Sequence, residues 1–157
     1  MEHVNHPKHY NQHPAGIECI AIIRHYTCDI ANAVKYLWRA GLKPEAGKLN
    51  AEKELEDLEK ALWYIDDYRK AFPETYTFRA QDAGPFTQVT GYDIYDVIAP
   101  YDKNVGDALY CLLLLGIIRH GKVYAVENRL YYIDQAAGAV RRRIADLEET
   151  VERIRES

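Results

Sequence analysis

The stretch DIANAVKYLWRAGLK, residues 29–43, decides the fold because it combines the start, the faces and the end of one amphipathic helix. Asp29 is expected to cap the first turn, and Gly41 to end the last. Apolar side chains recur between them at the i, i+3, i+4, i+7 spacing of a buried helix face: Ile30, Ala33, Val34 and Leu37. We therefore predict a helix that packs against a core along this face.

The opposite face of this predicted helix is polar. It presents an amide, two cations and a phenol, with a further lysine beyond the helix end: Asn32, Lys35, Tyr36, Arg39 and Lys43. Cations that converge on one point bind phosphate well, because Arg offers a planar fork and Lys a compact charge. An ordinary solvent-facing helix surface shows the same pattern, so the spacing alone leaves both interpretations open.

Composition and net charge limit the classes of protein to which this chain can belong. The 157 residues are 48% apolar and 28% charged, which is typical of a globular protein, and the net charge of -4 argues against a nonspecific nucleic-acid binder. Three cysteines without a CxxC pair predict neither a disulfide framework nor a zinc ribbon. The longest apolar run, 108–118, is shorter than the ~20 residues that cross a bilayer. We expect a cytoplasmic protein without membrane partners, in the host cytoplasm if it is phage-encoded.

The helices on either side complete a three-helix unit. A first helix is predicted from Gly16 to about His25, and a third from Asn50 to Pro73 with the core stripe Leu55, Leu58, Leu62 and Ile65. Asp57, Lys60 and Tyr64 fall on the flank of that stripe, where they are expected to line a cleft against the central helix. The N-terminal arm contains several histidines, but their spacing predicts no metal site, and we expect His9 and Tyr10 to fold back over the cleft.

The three-helix pattern occurs twice. A shift of 75 positions places Gly16 on Gly91 and Gly41 on Gly116, and the apolar positions of the third helix also coincide. We interpret this as an internal duplication. The predicted fold is all-α: a compact helical bundle with a first unit at residues 1–72, a linker at 73–90, and a degenerate second unit at 91–157 with a long C-terminal helix.

The two copies differ on the polar face of the central helix. Lys35 becomes Tyr110, and Arg39 becomes Leu114, so this face of the second copy is expected to be buried against the first copy or another subunit. That leaves one working site per chain. The alternative explanation for this difference is that the second copy diverged without any constraint on this face.

The last helix is predicted from about Val123 to the end of the chain. Its apolar positions are spaced four and three apart like a coiled-coil seam: Val140, Ile144, Leu147, Val151 and Ile154. The seam is longer than that of the third helix in the first copy. We therefore predict a homo-oligomer, most simply a dimer, that forms through the C-terminal helix.

Four stretches resemble one protein family. VNHPKHY near the start, Gly16-Ile-Glu, NAVKYLWRAGLK and DLEKALWYID are similar to the SaV-like phage proteins, a family that includes a nucleotide kinase without a P-loop. The similarity covers about residues 4–70, whereas the second copy lies outside the family pattern. It implies the following positions as the family's site: His9, Tyr10, Asn32, Lys35, Tyr36, Arg39, Lys43, Asp57, Lys60 and Tyr64.

The resemblance and the polar face together predict a nucleotide-binding protein, with phosphoryl transfer to a nucleoside monophosphate as the leading function. Lys35 and Arg39 are the expected catalytic cations. Asp57 or Glu18 is expected to contact the accepting group or tune a cation, and the other family positions would bind substrate. No cofactor is required by the sequence, although magnesium is compatible with it. The alternatives are a non-catalytic protein that sequesters nucleotides against host defence, and a magnesium-dependent pyrophosphohydrolase that uses Glu18, Glu54 and Asp57.

Overall fold

The computed structural model describes residues 13–42, 50–71, 78–80, 84–119, 122–126 and 129–157. The expectations for His9, Tyr10 and Lys43 lie outside the described residues. Seven helices and three short strands occur in these ranges, in the order α1 Cys19–Ile23, α2 Cys28–Arg39, α3 Asn50–Ala71, β1 Phe78–Ala80, α4 Gly84–Thr90, α5 Ile94–Ile98, α6 Lys103–Leu113, β2 Ile117–Arg119, β3 Lys122–Val126 and α7 Arg129–Glu156.

The predicted all-α bundle with a long C-terminal helix is confirmed. Helix α2 packs on α3, α6 packs on α7, and α3 packs on α7, so that the two long helices form the centre of the bundle. Within the part of the chain that is described, none of these helices combines the length and apolar character that crossing a membrane requires.

Helix α2 buries the face that its sequence predicted. Its apolar stripe has no exposed surface: Ile30, Ala33, Val34 and Leu37. Gly41 follows the helix with a φ of 80°, a left-handed conformation that glycine adopts without strain. The expected cap is wrong, because Thr27 occupies the N-cap position and Asp29 lies inside the first turn with its side chain buried.

A small three-stranded sheet was not predicted. Strand β3 lies in the middle, pairing in parallel with β1 and antiparallel with β2. The last helix therefore begins at Arg129 and not near Val123, since 122–126 form β3. The 73–90 stretch is also more than a linker, because it contains β1 and α4. Strands of three to five residues carry too little periodicity to be recognised, and their pairing depends on distant partners.

Hydrogen bonds join the two units. The Tyr101 hydroxyl donates to the Trp38 carbonyl at 2.7 Å, and the Ile118 N–H donates to the His25 carbonyl at 2.7 Å. His13 is buried, and its Nε2 lies 2.7 Å from the Val97 carbonyl oxygen. These contacts fix the position of α2 relative to the second unit.

The apolar seam of α7 is largely covered within the chain. Leu147 and Val151 are each only 5% exposed, whereas Ile154 near the end is 46% exposed. Helix α3 supplies the cover, and ion pairs such as that of Arg155 with Glu52, at 2.6 Å, flank the contact. The seam therefore does not by itself require a second copy, and the homo-oligomer remains a prediction.

Backbone geometry recurs at the 75-residue spacing. The left-handed Gly16 and Gly91 have φ values of 74° and 78°. Helices α5 and α6 begin 75 residues after α1 and α2. The face of α6 that was expected to be buried is only partly so: Leu114 is buried, Tyr110 is half-buried and Asp107 is exposed. The first copy therefore does not cover the whole face, and burial of the remainder against another subunit stays a prediction.

Candidate functional site

The candidate site is the polar flank where α2 and α3 run antiparallel, here called the α2–α3 seam. Helical spacing of three and four residues places polar side chains in facing rows on the two helices. The row on α2 contains Asp29, Asn32, Lys35, Tyr36 and Arg39, and the row on α3 contains Lys53, Asp57, Lys60, Tyr64 and Asp67.

Two tyrosine rings and three cations lie at the middle of the seam. Tyr36 stacks on Tyr64, with ring centroids 6.0 Å apart and planes inclined by 13°. The Lys35 Nζ lies 4.8 Å from the Tyr36 centroid, the Lys60 Nζ 5.5 Å and the Arg39 Cζ 5.7 Å. These separations lie within the range of cation–π attraction, which holds the cations around the ring.

Lys35 and Lys60 differ from Arg39 in their charge environment. Among the described residues, no carboxylate forms an ion pair with either lysine. Arg39 instead lies beside Asp57. The middle of the seam therefore carries two lysine charges that no carboxylate in the described part of the chain neutralises, and an anion could balance them.

A buried carboxylate fixes one end of this positive region. Asp57 has no exposed side-chain surface, and its Oδ1 lies 3.4 Å from the Arg39 Nε and 3.7 Å from the Lys53 Nζ. This buried geometry fits the predicted role in which Asp57 tunes a cation better than direct contact with an accepting group. Both roles remain predictions.

A pair of carboxyl groups lies at the other end of the seam. Burial, together with the hydrogen bond and the negative charge of Asp67, raises the pKa of Asp29 to about 6. Two carboxyl groups this close favour sharing one proton. The sequence analysis missed this pair, although Asp67 lies three residues after Tyr64 and therefore on the same face of α3.

Asn32 is directed into its own helix. Its Nδ2 donates to the Cys28 carbonyl at 2.9 Å and contacts the Cys28 Sγ at 3.4 Å. A bond from Asn32 to a phosphate would require this side chain to rotate. The predicted orienting role of Asn32 therefore remains a prediction that the present rotamer does not favour.

Arg143 of α7 was also missed by the sequence analysis. It donates to both oxygens of Glu54, at 2.7 and 3.1 Å, and its Nη1 lies 3.5 Å from Asp102. These groups line a cavity of about 220 Å³ beside Gly41. Only the folded chain brings Arg143 near the seam, because 89 residues separate it from Glu54.

Two of the three carboxylates proposed for a magnesium-dependent hydrolase, Glu54 and Asp57, are engaged with cations. Glu54 binds Arg143, and Asp57 pairs with Arg39 and Lys53. Within the described ranges, no three His, Cys, Asp or Glu side chains are grouped as metal ligands. These ion pairs would have to break before Glu54 and Asp57 could bind a metal together.

Comparison with known proteins gives one match. Residues 4–66, less than half of the 157-residue chain, match the model of a family described as a protein of unknown function, DUF3310. The matched stretch contains most of the seam and ends just before Asp67. Neither the curated proteins nor the solved structures contain a significant match. The chain is thus similar, over its first unit, to a family whose description assigns no function.

Proposed function

We propose that the α2–α3 seam binds a nucleotide and that the protein transfers a phosphoryl group to a nucleoside monophosphate. The observation that carries this proposal is the Tyr36 ring, stacked on Tyr64 and surrounded by Lys35, Arg39 and Lys60. A nucleotide combines a planar base with an anionic phosphate, and the seam offers aromatic surface and positive charge within one short distance.

Phosphoryl transfer suits this site because the reaction depends on position and charge. A phosphate oxygen of the monophosphate attacks the terminal phosphorus of the donor, and the bond from that phosphorus to the bridging oxygen breaks. Negative charge then grows on the leaving group, and preorganised cations stabilise it. Lys35 and Lys60 would supply that charge, while Asp57 holds Arg39 in place. The phosphate acceptor is already ionised, so no exposed general base is needed.

We further infer that the second unit arose by duplication of the first and lost this charge. The sequence correspondence at 75 positions supports that history, as does the recurrence of helix starts and left-handed glycines at the same spacing. Tyr110 and Leu114 stand where the first unit has Lys35 and Arg39. Because the second unit lacks these cations, we expect one nucleotide site per chain.

Sequestration of a nucleotide without turnover is the second candidate. It is favoured by the positions of the described seam carboxylates, which lie at the two ends and not beside the Tyr36 ring. A protein that only binds needs the same ring and cations but no arrangement for a second substrate. The two candidates therefore share a site and differ in chemistry.

The test is phosphorus NMR of the protein with a panel of nucleoside mono- and triphosphates, with and without magnesium. New diphosphate signals would support the kinase, and tight binding with unchanged phosphorus signals would support sequestration. Release of pyrophosphate would support the hydrolase instead. If no nucleotide alters the spectra or raises the melting temperature, the proposal is wrong, since a ligand of the folded state must stabilise it.

Matched lysine variants locate the site. Lys60→Ala is expected to weaken nucleotide binding about tenfold, because a hydrogen bond to a charged group contributes roughly 1.5–3 kcal/mol. Lys70→Ala removes an exposed lysine from the same helix, away from the ring, and should leave affinity unchanged. If both variants weakened nucleotide binding equally, the nucleotide would bind outside the α2–α3 seam.

A further inference from the structure

The second unit contains a cavity between α6 and α7. Its volume is about 190 Å³, and its lining is rich in tyrosine: Asp107, Tyr110, Cys111, Tyr131, Tyr132, Gln135 and Arg142. Asp107, Cys111 and Gln135 stand 75 positions after Asn32, Tyr36 and Lys60. The cavity therefore lies where the first unit has its seam, but its chemistry is different.

The lining offers aromatic faces and hydrogen-bonding groups. Tyr131 and Tyr132 meet edge to face with centroids 5.3 Å apart, and Tyr110 is stacked on Tyr95 at 6.0 Å. A planar ligand could contact these rings while Gln135 and the phenol hydroxyls donate and accept hydrogen bonds.

Two charged side chains line the cavity, the Asp107 carboxylate and the Arg142 guanidinium, so the lining has no formal net charge. Both are engaged with side chains outside the lining: the Asp107 carboxylate lies 3.7 Å from the Nζ of the exposed Lys103, and the Arg142 Nε donates to the Asn104 Oδ1 at 3.1 Å. The lining therefore has no surplus of cations like the one around Tyr36, and it favours an uncharged ligand over a phosphate.

Volume limits the ligand to one small ring system. A cavity of about 190 Å³ is smaller than the roughly 300–1,000 Å³ of sites for drug-sized ligands. We propose that this cavity binds an uncharged planar heterocycle of the size of a single nucleobase, stacked on its tyrosines and hydrogen-bonded to Gln135. The proposal uses residues of the second unit only and does not depend on the function proposed for the first.

Saturation-transfer NMR of the full chain with the free bases adenine, cytosine, uracil and thymine tests the proposal. At least one base should bind, and Tyr131→Ala should weaken its binding about fivefold or more, because stacking of a base on an aromatic side chain contributes roughly 1–3 kcal/mol. Tyr131 is 58% exposed, so its removal should not unfold the chain. Gln135→Ala, another exposed position, should also weaken binding.

The matched control is Trp63→Ala, which removes an aromatic side chain of similar exposure, 62%, from the first unit. It should leave base binding unchanged. The proposal is overturned if no base binds at millimolar concentration, or if Tyr36→Ala abolishes binding while Tyr131→Ala does not. It is equally overturned if a nucleoside monophosphate binds this cavity more tightly than the free base, since the proposed ligand is uncharged.

Discussion

The α2–α3 seam and the corresponding α6–α7 surface show how one helical arrangement can carry two kinds of chemistry. The first has three cations around a tyrosine ring, whereas the second has tyrosines around a cavity without net charge. Their core faces remain apolar, because both must pack in the same bundle. The flank of a helix pair can therefore differ in chemistry while packing keeps the buried face apolar.

The largest expected difference concerns Asp57, whose counterpart is Tyr132. Asp57→Ala should lower the free energy of unfolding by about 3–5 kcal/mol, because it leaves Arg39 and Lys53 without their buried counter-ion. Tyr132→Phe should change it by less than about 0.5 kcal/mol. Urea unfolding measures both, and a loss below about 1 kcal/mol for Asp57→Ala would show that the first seam is hydrated and not buried.

Truncation of a buried leucine should destabilise the two units equally. Leu37 and Leu112 occupy corresponding positions, and both have no exposed surface. Leu37→Ala and Leu112→Ala should each cost about 2–5 kcal/mol through lost burial and the cavity left behind. Thermal and urea unfolding of both variants test this expectation. A much smaller loss for Leu112→Ala would show that the core of the second unit relaxes around the cavity that the substitution leaves.

Ion pairs between α3 and α7 should contribute more to the free energy of unfolding when they are less exposed to solvent. Arg143→Ala should cost about 1–3 kcal/mol, because the two hydrogen bonds to the nearly buried Glu54 are lost. Arg155→Ala breaks the exposed pair with Glu52 and should cost less than about 1 kcal/mol. The two variants can be compared in low and high salt. Equal losses would mean that the Glu54 pair is screened by water like a surface pair.

The last expected effect depends on pH and is at most about 3 kcal/mol. Since the pKa of Asp29 in the folded protein is about 6, above its ordinary value of about 3.9, the folded state binds the proton more tightly. That contribution is fully present below pH 4 and is lost as the pH rises through about 6. Asp29→Asn, which introduces the residue found at the corresponding position 104, should therefore raise the melting temperature at pH 8, by about 2–4 °C for each kcal/mol.

The control for this prediction is the same comparison at pH 4, where the two proteins should melt within about a degree of each other. Scanning calorimetry across pH 4–8 measures the difference. If Asp29→Asn lowers the melting temperature at pH 8, the carboxylate stabilises the first turn of α2 more than Asp67 destabilises it.

Local periodicity predicted the longer helices but neither α4 nor the sheet. The buried stripe of α2 and the positions of α3 follow from spacing that any amphipathic helix must show. Asp57, Lys60 and Tyr64 were predicted to lie against α2 for the same reason, since residues three and four apart share a face. Strand β3 was predicted as helix, because five residues pair with partners that spacing cannot identify.

Covalent order and the 3.6 residues per turn of a helix were sufficient to predict the longer amphipathic helices and which of their side chains share a face. Tertiary structure alone decided which faces meet. It paired Asp29 with Asp67, enclosed Asp57 between two cations, and brought Arg143 to Glu54. These contacts join separate helices, and the energy of burying charged groups together depends on distances that no sequence spacing specifies.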